Sequence, residues 1–274
     1  MGKRFYELFS IRKENLPQLG AESLETVNME ISPQAGADLF SIPWGHMKVI
    51  IDKCRKNPLK ASFYVNQVKE NNWSRAVLLN FLDTDLFERQ GQAITNFKAS
   101  LPDTQSDLAQ EMTKDPYNFD FLAIRKGYDE KELKDALMDN IQRFLFELGT
   151  GFAFVGREYR LLIGKTEEFL DMLFYNIRLH CYVVVEVKVV EFNPRDIGQL
   201  GTYVAAVNHM LKKEGDNQTI GLIICKTKDN VLAQYALESS SEPIGISEYQ
   251  LNSLFPEDFR GSMPTIEEIE QEFG

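Results

Sequence analysis

The segment Cys181–Glu191, CYVVVEVKVVE, is a valine-rich run interrupted by Glu186 and Lys188. A run this rich in β-branched residues favours a strand buried on both faces. Residues two apart in a strand share a face, so the carboxylate and the ammonium are predicted to lie side by side. The opposite face holds Val185, Val187 and Val189. Charges on a buried strand are costly unless they are paired or bound to a ligand, so an ion pair without chemical function also fits this strand.

Two more strands are predicted immediately before this segment. The three strands span Arg157–Ile163, Glu168–Tyr175 and His180–Val190. The first turn contains Gly164 and Lys165, and the second turn spans Asn176–Leu179. Because connections this short join antiparallel neighbours, the three strands are predicted to form an antiparallel meander.

Helices are predicted on both sides of the meander. Asp129 caps an amphipathic helix that Gly149 ends, and a second helix begins at Asn193. A buried strand at Thr219–Cys225 follows, and a strand–helix–strand connection of this kind places the two strands parallel. The order helix, three strands, helix, strand is an αβββαβ core of the α/β class. A helix at Asn230–Leu237 and a strand at Ile244–Ile246 complete it.

The N-terminal part of the chain has a different pattern. A short helix is predicted over residues 1–15, a linker over residues 16–39, and a small helical bundle, with a helix-turn-helix variant as one form, over residues 42–96. Residues 97–125 are rich in proline and polar residues, which is typical of a domain connection. The predicted organisation is a helical domain at residues 1–125, an α/β domain at residues 126–255 and an acidic tail at residues 256–274.

A second carboxylate changes the interpretation of Glu186. Asp171 lies on the strand predicted to neighbour Glu186 and Lys188. Two buried carboxylates repel each other, and a divalent cation is the usual remedy. An ammonium on the same face could hold or help to deprotonate a water molecule beside that cation. This arrangement suits the attack of water on a phosphodiester.

The net charge and the cysteine, histidine and apolar patterns disfavour several other classes of protein. The chain has 274 residues and a formal net charge of −11, so binding by nonspecific phosphate attraction alone is disfavoured. Three cysteines without metal-ligand spacing indicate reduced thiols in a cytoplasmic protein, and three scattered histidines disfavour a zinc site. No apolar run reaches the length of a membrane span, and no signal peptide pattern opens the chain.

Several segments resemble the bacterial YhcG-like nuclease family of the PD-(D/E)xK superfamily. They include FLFELGTGFAFVGREYRLLIG, FLDMLFYN, CYVVVEVKV, GQLGTYVAAVNH and TIGLIICK, and upstream IPWGHMKVIIDKC and SFYVNQVKENNWSRAVLLNF. The resemblance covers about Phe40 to Tyr249. It implies a restriction-endonuclease-like αβββαβ core with a helical N-terminal domain. Members of the family usually have further helices upstream, so an N-terminal truncation is expected.

The resemblance also implies roles for individual residues. Asp171 and Glu186 would bind Mg²⁺ or Mn²⁺, and Lys188 would position the attacking water. Glu147 would be the additional metal-binding acid of the family. The catalytic set is completed by a QxxxY pattern, Gln199 and Tyr203. One departure from the superfamily pattern is Leu170, which stands where the proline before the first acid would be.

The sequence therefore predicts a metal-dependent endonuclease that acts on DNA, with the site in the C-terminal domain. RNA remains open as the substrate. A non-catalytic binding module within a restriction or phage-defence assembly, and an oligomerising scaffold, are the alternatives from other functional classes. A homodimer is expected by analogy with nucleases that cut both strands.

Overall fold

The computed structural model describes residues 42–55 and 57–255. The helix predicted at residues 1–15, the linker at residues 16–39 and the acidic tail at residues 256–274 lie outside the described residues. The chain divides into two compact units, Met1–Glu88 and Arg89–Gly274. The domain boundary predicted at residue 125 stays a prediction.

The first unit is helical in its described part. Its helices are α1 (Trp44–Lys53), α2 (Pro58–Asn71) and α3 (Arg75–Asp83), and α4 (Leu86–Arg89) ends at the unit boundary. Asn57 caps α2 by accepting the Lys60 N–H, and Ser74 caps α3 by accepting the Val77 N–H. The buried side chains that join these helices include Ile50, Tyr64, Val65, Leu78 and Phe81.

Residues predicted as a domain connection contain regular structure. The elements are β1 (Ile94–Thr95), α5 (Phe97–Ser100), α6 (Asp103–Met112), β2 (Tyr117–Asn118) and β3 (Ile124–Arg125). β1 pairs antiparallel with a strand at Ile244–Gln250, and β2 pairs parallel with the same strand. These short strands extend the main sheet by backbone pairing, which sequence periodicity does not reveal.

The helix predicted as continuous from Asp129 to Gly149 is wrong in one respect, since it is two helices. They are α7 (Glu130–Asp139) and α8 (Ile141–Leu148). The break falls at Asn140, whose side chain donates to the Ala136 carbonyl at 3.0 Å. An asparagine that bonds the preceding turn competes with continued helix formation. The predicted capping box of Asp129 with Glu132 is confirmed at the start of α7.

Of the three strands that follow, the first two are longer than predicted and the third has its predicted length, shifted by one residue. They are β4 (Phe152–Ile163), β5 (Thr166–Asn176) and β6 (Cys181–Glu191). Next come α9 (Pro194–Met210), β7 (Ile220–Thr227), α10 (Asn230–Glu238), β8 (Ile244–Gln250) and β9 (Leu254–Phe255). The main sheet has the order β1-β8-β7-β6-β5-β4, with β2 also on β8, and β3 pairs with β9. β4, β5 and β6 are antiparallel and β6, β7 and β8 are parallel, which confirms the predicted αβββαβ order.

The two faces of the sheet have separate cores. On one face, Val183, Val185 and Val187 of β6 pack with buried residues of α7 and α8. On the other face, Val184 packs with buried residues of α9 and α10. The alternation predicted for the valine-rich strand is therefore confirmed. In the described part of the chain, no helix combines the length and the hydrophobicity that a membrane span requires.

A tight turn sets β5 against β6. The Asn176 side chain accepts the N–H groups of Arg178 and Leu179, each at 3.0 Å, and the Ile177 N–H donates to the Gly151 carbonyl at 2.8 Å. From this turn the strand pairs run from Asn176 with Cys181 to Met172 with Val185. The turn thus determines which residues of the two strands face each other.

Candidate active site

The paired region of β5 and β6 ends immediately before the predicted site. The last backbone pair is Met172 with Val185. Beyond it, the Asp171 N–H donates to Glu186 Oε1 at 3.4 Å, and the Val187 N–H donates to Asp171 Oδ2 at 3.3 Å. Each carboxylate therefore accepts a backbone N–H of the opposite strand where a ladder bond would otherwise form. We call this place the strand fork, defined by Asp171 and Glu186.

Glu186 is the buried acid of the strand fork. Its residue surface is only 3% exposed. Burial raises the pKa of the Glu186 carboxyl to about 8, the nearby Asp171 carboxylate acts in the same direction, and Lys188 acts against both. Burial, reinforced by the neighbouring Asp171 carboxylate, therefore disfavours the ionised form of Glu186.

Lys188 lies beside the strand fork. Its Nζ is 3.6 Å from Glu186 Oε2 and 3.7 Å from Glu130 Oε1. Burial lowers the pKa of the Lys188 ammonium, but the carboxylates of Glu186, Glu130 and Asp171 outweigh that effect and raise it. Lys188 thus remains protonated. A protonated lysine can donate hydrogen bonds to a negative group but cannot accept a proton.

Two charged residues of α7 also reach the strand fork, and the sequence interpretation missed both. Lys134 Nζ lies 2.6 Å from Asp171 Oδ1 and 2.7 Å from Glu130 Oε1. Glu130 and Lys134 are four apart and precede Leu137 on the same helix face. A lysine on the core-facing side of an amphipathic helix was the available signal.

Gln199 and Tyr203 lie on α9, which packs on the face of the sheet opposite to α7. The Gln199 side chain donates to the Tyr203 hydroxyl at 2.9 Å, and that hydroxyl donates to Glu168 Oε2 at 3.2 Å. Burial raises the pKa of Tyr203, and the carboxylates of Glu186 and Glu168 contribute in the same direction. Gln199 and Tyr203 thus form a hydrogen-bonded chain that ends at Glu168. Glu168 is a partner that sequence reasoning did not identify.

Glu147 has a separate set of contacts. Arg89 Nη1 donates to Glu147 Oε1 at 2.6 Å, and the Asn118 N–H donates to the same oxygen at 2.8 Å. The Lys114 ammonium donates to the Leu148 carbonyl at 3.0 Å at the end of α8. Arg89, Lys114 and Glu147 are all buried. None of these hydrogen bonds involves Asp171, Glu186 or Lys188, and metal binding by Glu147 stays a prediction.

The raised pKa of Glu186 makes the stability of the metal-free protein depend on pH. Between the ordinary value of 4.5 and about 8, the folded chain retains a proton that the unfolded chain has released. The free energy of unfolding therefore falls as the pH rises through this window. We expect the wild type to lose about 1–3 kcal/mol more than Glu186→Gln between roughly pH 5 and 8. Denaturant unfolding in EDTA measures the difference, and parallel pH profiles would contradict it.

The strand fork offers oxygen donors suited to a divalent cation. Mg²⁺ is typically bound by one or two carboxylates together with waters and substrate phosphates, rather than by a complete protein cage. Asp171 and Glu186 supply two hard oxygen donors, and burial together with the neighbouring Asp171 carboxylate raises the pKa of Glu186. Among the described residues, no group of three or more acidic, histidine or cysteine side chains forms a metal site. The donor set therefore fits a Mg²⁺-type ion that retains solvent ligands.

Comparisons with known proteins agree with the topology. The family model described as "YhcG PDDEXK nuclease domain" matches residues 110–264, and the "DUF1016 N-terminal domain" matches residues 2–89. The chain is 31% identical over 201 residues to "Putative nuclease YhcG" of Escherichia coli (strain K12). That match covers 72% of this chain and 53% of the relative, so the chain spans about half the length of the curated relative.

Solved structures give lower similarity. A structure of an EndoMS–dsDNA2 complex is 19% identical, covers 48% of this chain and 46% of that chain, and has a TM-score of 0.32. A repair endonuclease from Pyrococcus abyssi is 15% identical, covers 47% and 49%, and has a TM-score of 0.30. Overlaps this small do not by themselves define a fold.

The family match and the sheet agree with each other. The matched family is a PDDEXK nuclease domain, and backbone pairing and hydrogen bonds give the αβββαβ order with Asp171 beside Glu186. Both identify a restriction-endonuclease-like α/β core with a helical N-terminal region. Since the nuclease-domain model covers more than half of the sequence, the chain belongs to the YhcG PDDEXK nuclease family.

Proposed function

We propose that this chain is a metal-dependent nuclease that hydrolyses phosphodiester bonds of DNA at the strand fork. The observation that supports this most directly is the approach of Asp171 and Glu186, joined by backbone N–H contacts at 3.3 and 3.4 Å, with the Lys188 ammonium 3.6 Å from Glu186. Buried carboxylates of this kind are unfavourable as structure alone and are typical of functional sites.

The residues of the strand fork would divide the chemistry. Asp171 and Glu186 would hold Mg²⁺ or Mn²⁺, which would polarise a phosphate oxygen and neutralise its charge. In the reaction, a water oxygen bonds to phosphorus and that water releases a proton to solvent, while the bond from phosphorus to a sugar oxygen breaks and the sugar oxygen takes up a proton from solvent. Lys188 stays protonated, so it would orient the water and donate to the phosphoryl oxygens as negative charge develops.

The flanking residues have supporting roles in this proposal. Tyr203 is held by hydrogen bonds to Gln199 and Glu168, which fix the position of its hydroxyl. Gln199 is exposed and could contact the substrate directly. Glu147 remains proposed as a further acid that reaches the cation through water or a second ion. Its buried pairing with Arg89 gives it a structural role as well.

Substrate, assembly and location are also proposals. EndoMS is bound to double-stranded DNA in its complex, and DNA is the substrate that we propose for this chain. A homodimer and partners from a restriction system are proposed by analogy with nucleases of this kind. The three buried cysteines are unpaired, which supports a reducing compartment such as the cytoplasm.

The proposal predicts cleavage that depends on an added cation. Purified full-length chain freed of metal by EDTA is incubated with labelled single- and double-stranded DNA and RNA, with and without Mg²⁺ or Mn²⁺. We expect DNA cleavage only with the cation, and a rate at least about a thousandfold lower for Asp171→Asn, because that variant loses a charged cation ligand. Gel electrophoresis of the labelled strands measures both effects.

Glu191→Gln is the matched control, since Glu191 is an exposed acid on β6, the strand next to the one that carries Asp171. It should cleave at the wild-type rate. Equal cleavage by wild type and Asp171→Asn would identify a contaminating nuclease and refute the proposal. DNA binding without cleavage under all conditions would favour the non-catalytic module, and cleavage of RNA alone would reassign the substrate.

A further inference from the structure

We infer that Lys134 is a tethered cation that occupies Asp171 in the metal-free protein and leaves that carboxylate when a divalent cation binds. The inference rests on the proposed function, because it concerns the same carboxylates. It adds a residue from α7 to the site and assigns it a competitive role that the nuclease reaction itself does not require.

The contacts of Asp171 support this role. Its Oδ1 accepts Lys134 Nζ at 2.6 Å, and its Oδ2 accepts the Val187 N–H at 3.3 Å. Both carboxylate oxygens therefore already have a donor. A cation that binds Asp171 has to share or displace one of them. The Val187 N–H is fixed in β6, whereas the ammonium is at the end of a flexible stem, so Lys134 is the donor that can leave.

The packing of α7 fixes the position of Lys134. Leu133 and Leu137 of α7 are fully buried against the sheet, and the capping box of Asp129 and Glu132 fixes the first turn of the helix. α7 is therefore held in place from its start through the turn that bears Lys134. The Lys134 side chain is 18% exposed and that of Asp171 is 14% exposed, so solvent only partly screens their attraction.

Glu130 gives the displaced ammonium a second partner. Lys134 Nζ lies 2.7 Å from Glu130 Oε1, and the two residues form an i, i+4 pair on α7. Loss of the contact with Asp171 therefore leaves the ammonium paired and still beside the site. Lys188 differs, since its salt bridges within the described residues are to Glu186 and Glu130. The two lysines consequently neutralise different carboxylates of the strand fork.

Cation affinity tests the inference directly. Binding of Mn²⁺ to the full chain is measured by isothermal titration calorimetry without nucleic acid. We expect Lys134→Met to bind Mn²⁺ about tenfold more tightly than wild type, because no internal cation has to be displaced. Lys131→Met is the matched control on the same helix, since Lys131 is exposed, and it should leave the affinity unchanged.

Lys188→Met separates competition from a general effect of charge. It also removes one positive charge next to the strand fork but leaves the contact between Lys134 and Asp171 intact. A larger gain in affinity for Lys134→Met than for Lys188→Met supports displacement. Equal gains, or no gain for Lys134→Met, overturn it. If wild type binds no Mn²⁺, or if Asp171→Asn binds it as well as wild type does, the proposed function fails as well.

A second measurement follows Lys134 in the wild-type protein and uses Lys134→Gln only to assign its NMR signal. In wild-type chain labelled with ¹⁵N at lysine Nζ, the Lys134 signal is identified by its absence from the spectrum of Lys134→Gln. We expect Mg²⁺ to shift this signal in wild type and to leave it unmoved in Asp171→Asn. A Lys134 signal that does not respond in a wild-type protein that binds Mg²⁺ would overturn the inference while leaving the proposed function intact.

Discussion

Lys188→Met is expected to reduce DNA cleavage by about a thousandfold or more while the protein still binds Mn²⁺. Cleavage should fall because the variant lacks the ammonium that would orient the water and donate to the phosphoryl oxygens. Cation binding should persist because Lys188, whose Nζ is 3.6 Å from Glu186, is a hydrogen-bond donor and not a proposed cation ligand. The methionine retains most of the apolar stem, which limits the change in packing. Single-turnover cleavage under saturating Mn²⁺ measures the chemical step, and calorimetry on the same preparation measures cation binding.

The control for this variant is Lys213→Met. Lys213 is exposed in the loop that leads to the start of β7. Lys188 lies toward the end of β6, and since β6 and β7 are parallel, the two lysines are near opposite ends of the sheet. Lys213→Met should therefore cleave at the wild-type rate. A fall of less than about tenfold for Lys188→Met would contradict direct stabilisation of the transition state. Loss of Mn²⁺ binding together with activity would instead indicate that the variant disturbs the strand fork.

Glu147→Ala is expected to reduce the free energy of unfolding by about 3–5 kcal/mol. The change leaves the Arg89 guanidinium buried without the carboxylate that it contacts at 2.6 Å, and it removes the acceptor of the Asn118 N–H. Glu147→Gln retains an acceptor at that place and should lose less. Urea unfolding followed by circular dichroism measures the stability of both variants.

Glu238→Ala provides the comparison for Glu147→Ala, because Glu238 is an exposed acid at the end of another helix, α10. Its effect should lie within about 0.5 kcal/mol of zero. A small effect of Glu147→Ala would show that the buried pair with Arg89 adds little to stability. Calorimetry of Glu147→Gln with Mn²⁺ tests the separate proposal that Glu147 contributes to cation binding.

Local sequence patterns were enough to predict the core order and the pairing of Asp171 with Glu186. The valine-rich strand has one dominant periodicity, and the short turns leave only antiparallel neighbours for β4, β5 and β6. The approach of the two carboxylates at the strand fork follows from that register. What local patterns do not contain is the exact extent of each strand, because the ends of β4 and β5 depend on pairing and not on composition.

The elements that sequence reasoning missed depend on distant parts of the chain. β1 pairs Ile94 with Ile246, residues far apart in sequence that share no local signal. Likewise, the partner of Glu147 is Arg89, 58 positions away. Lys134 reaches Asp171 because α7 packs at one particular position along the strands of the sheet. Amphipathic periodicity predicts which face of the helix packs on the sheet, but it does not predict that position.

The turn between β5 and β6 has a consequence for how the site tolerates change. Five strand pairs, from Asn176 with Cys181 to Met172 with Val185, transmit its geometry to Asp171 and Glu186. A single residue inserted in this turn would shift one strand by one position, and side chains that shift by one position exchange faces. Asp171 would then point away from Glu186 although no residue of the site had been altered. The spacing of the turn is thus a remote length constraint on the proposed site, and insertions there should be far more damaging than substitutions.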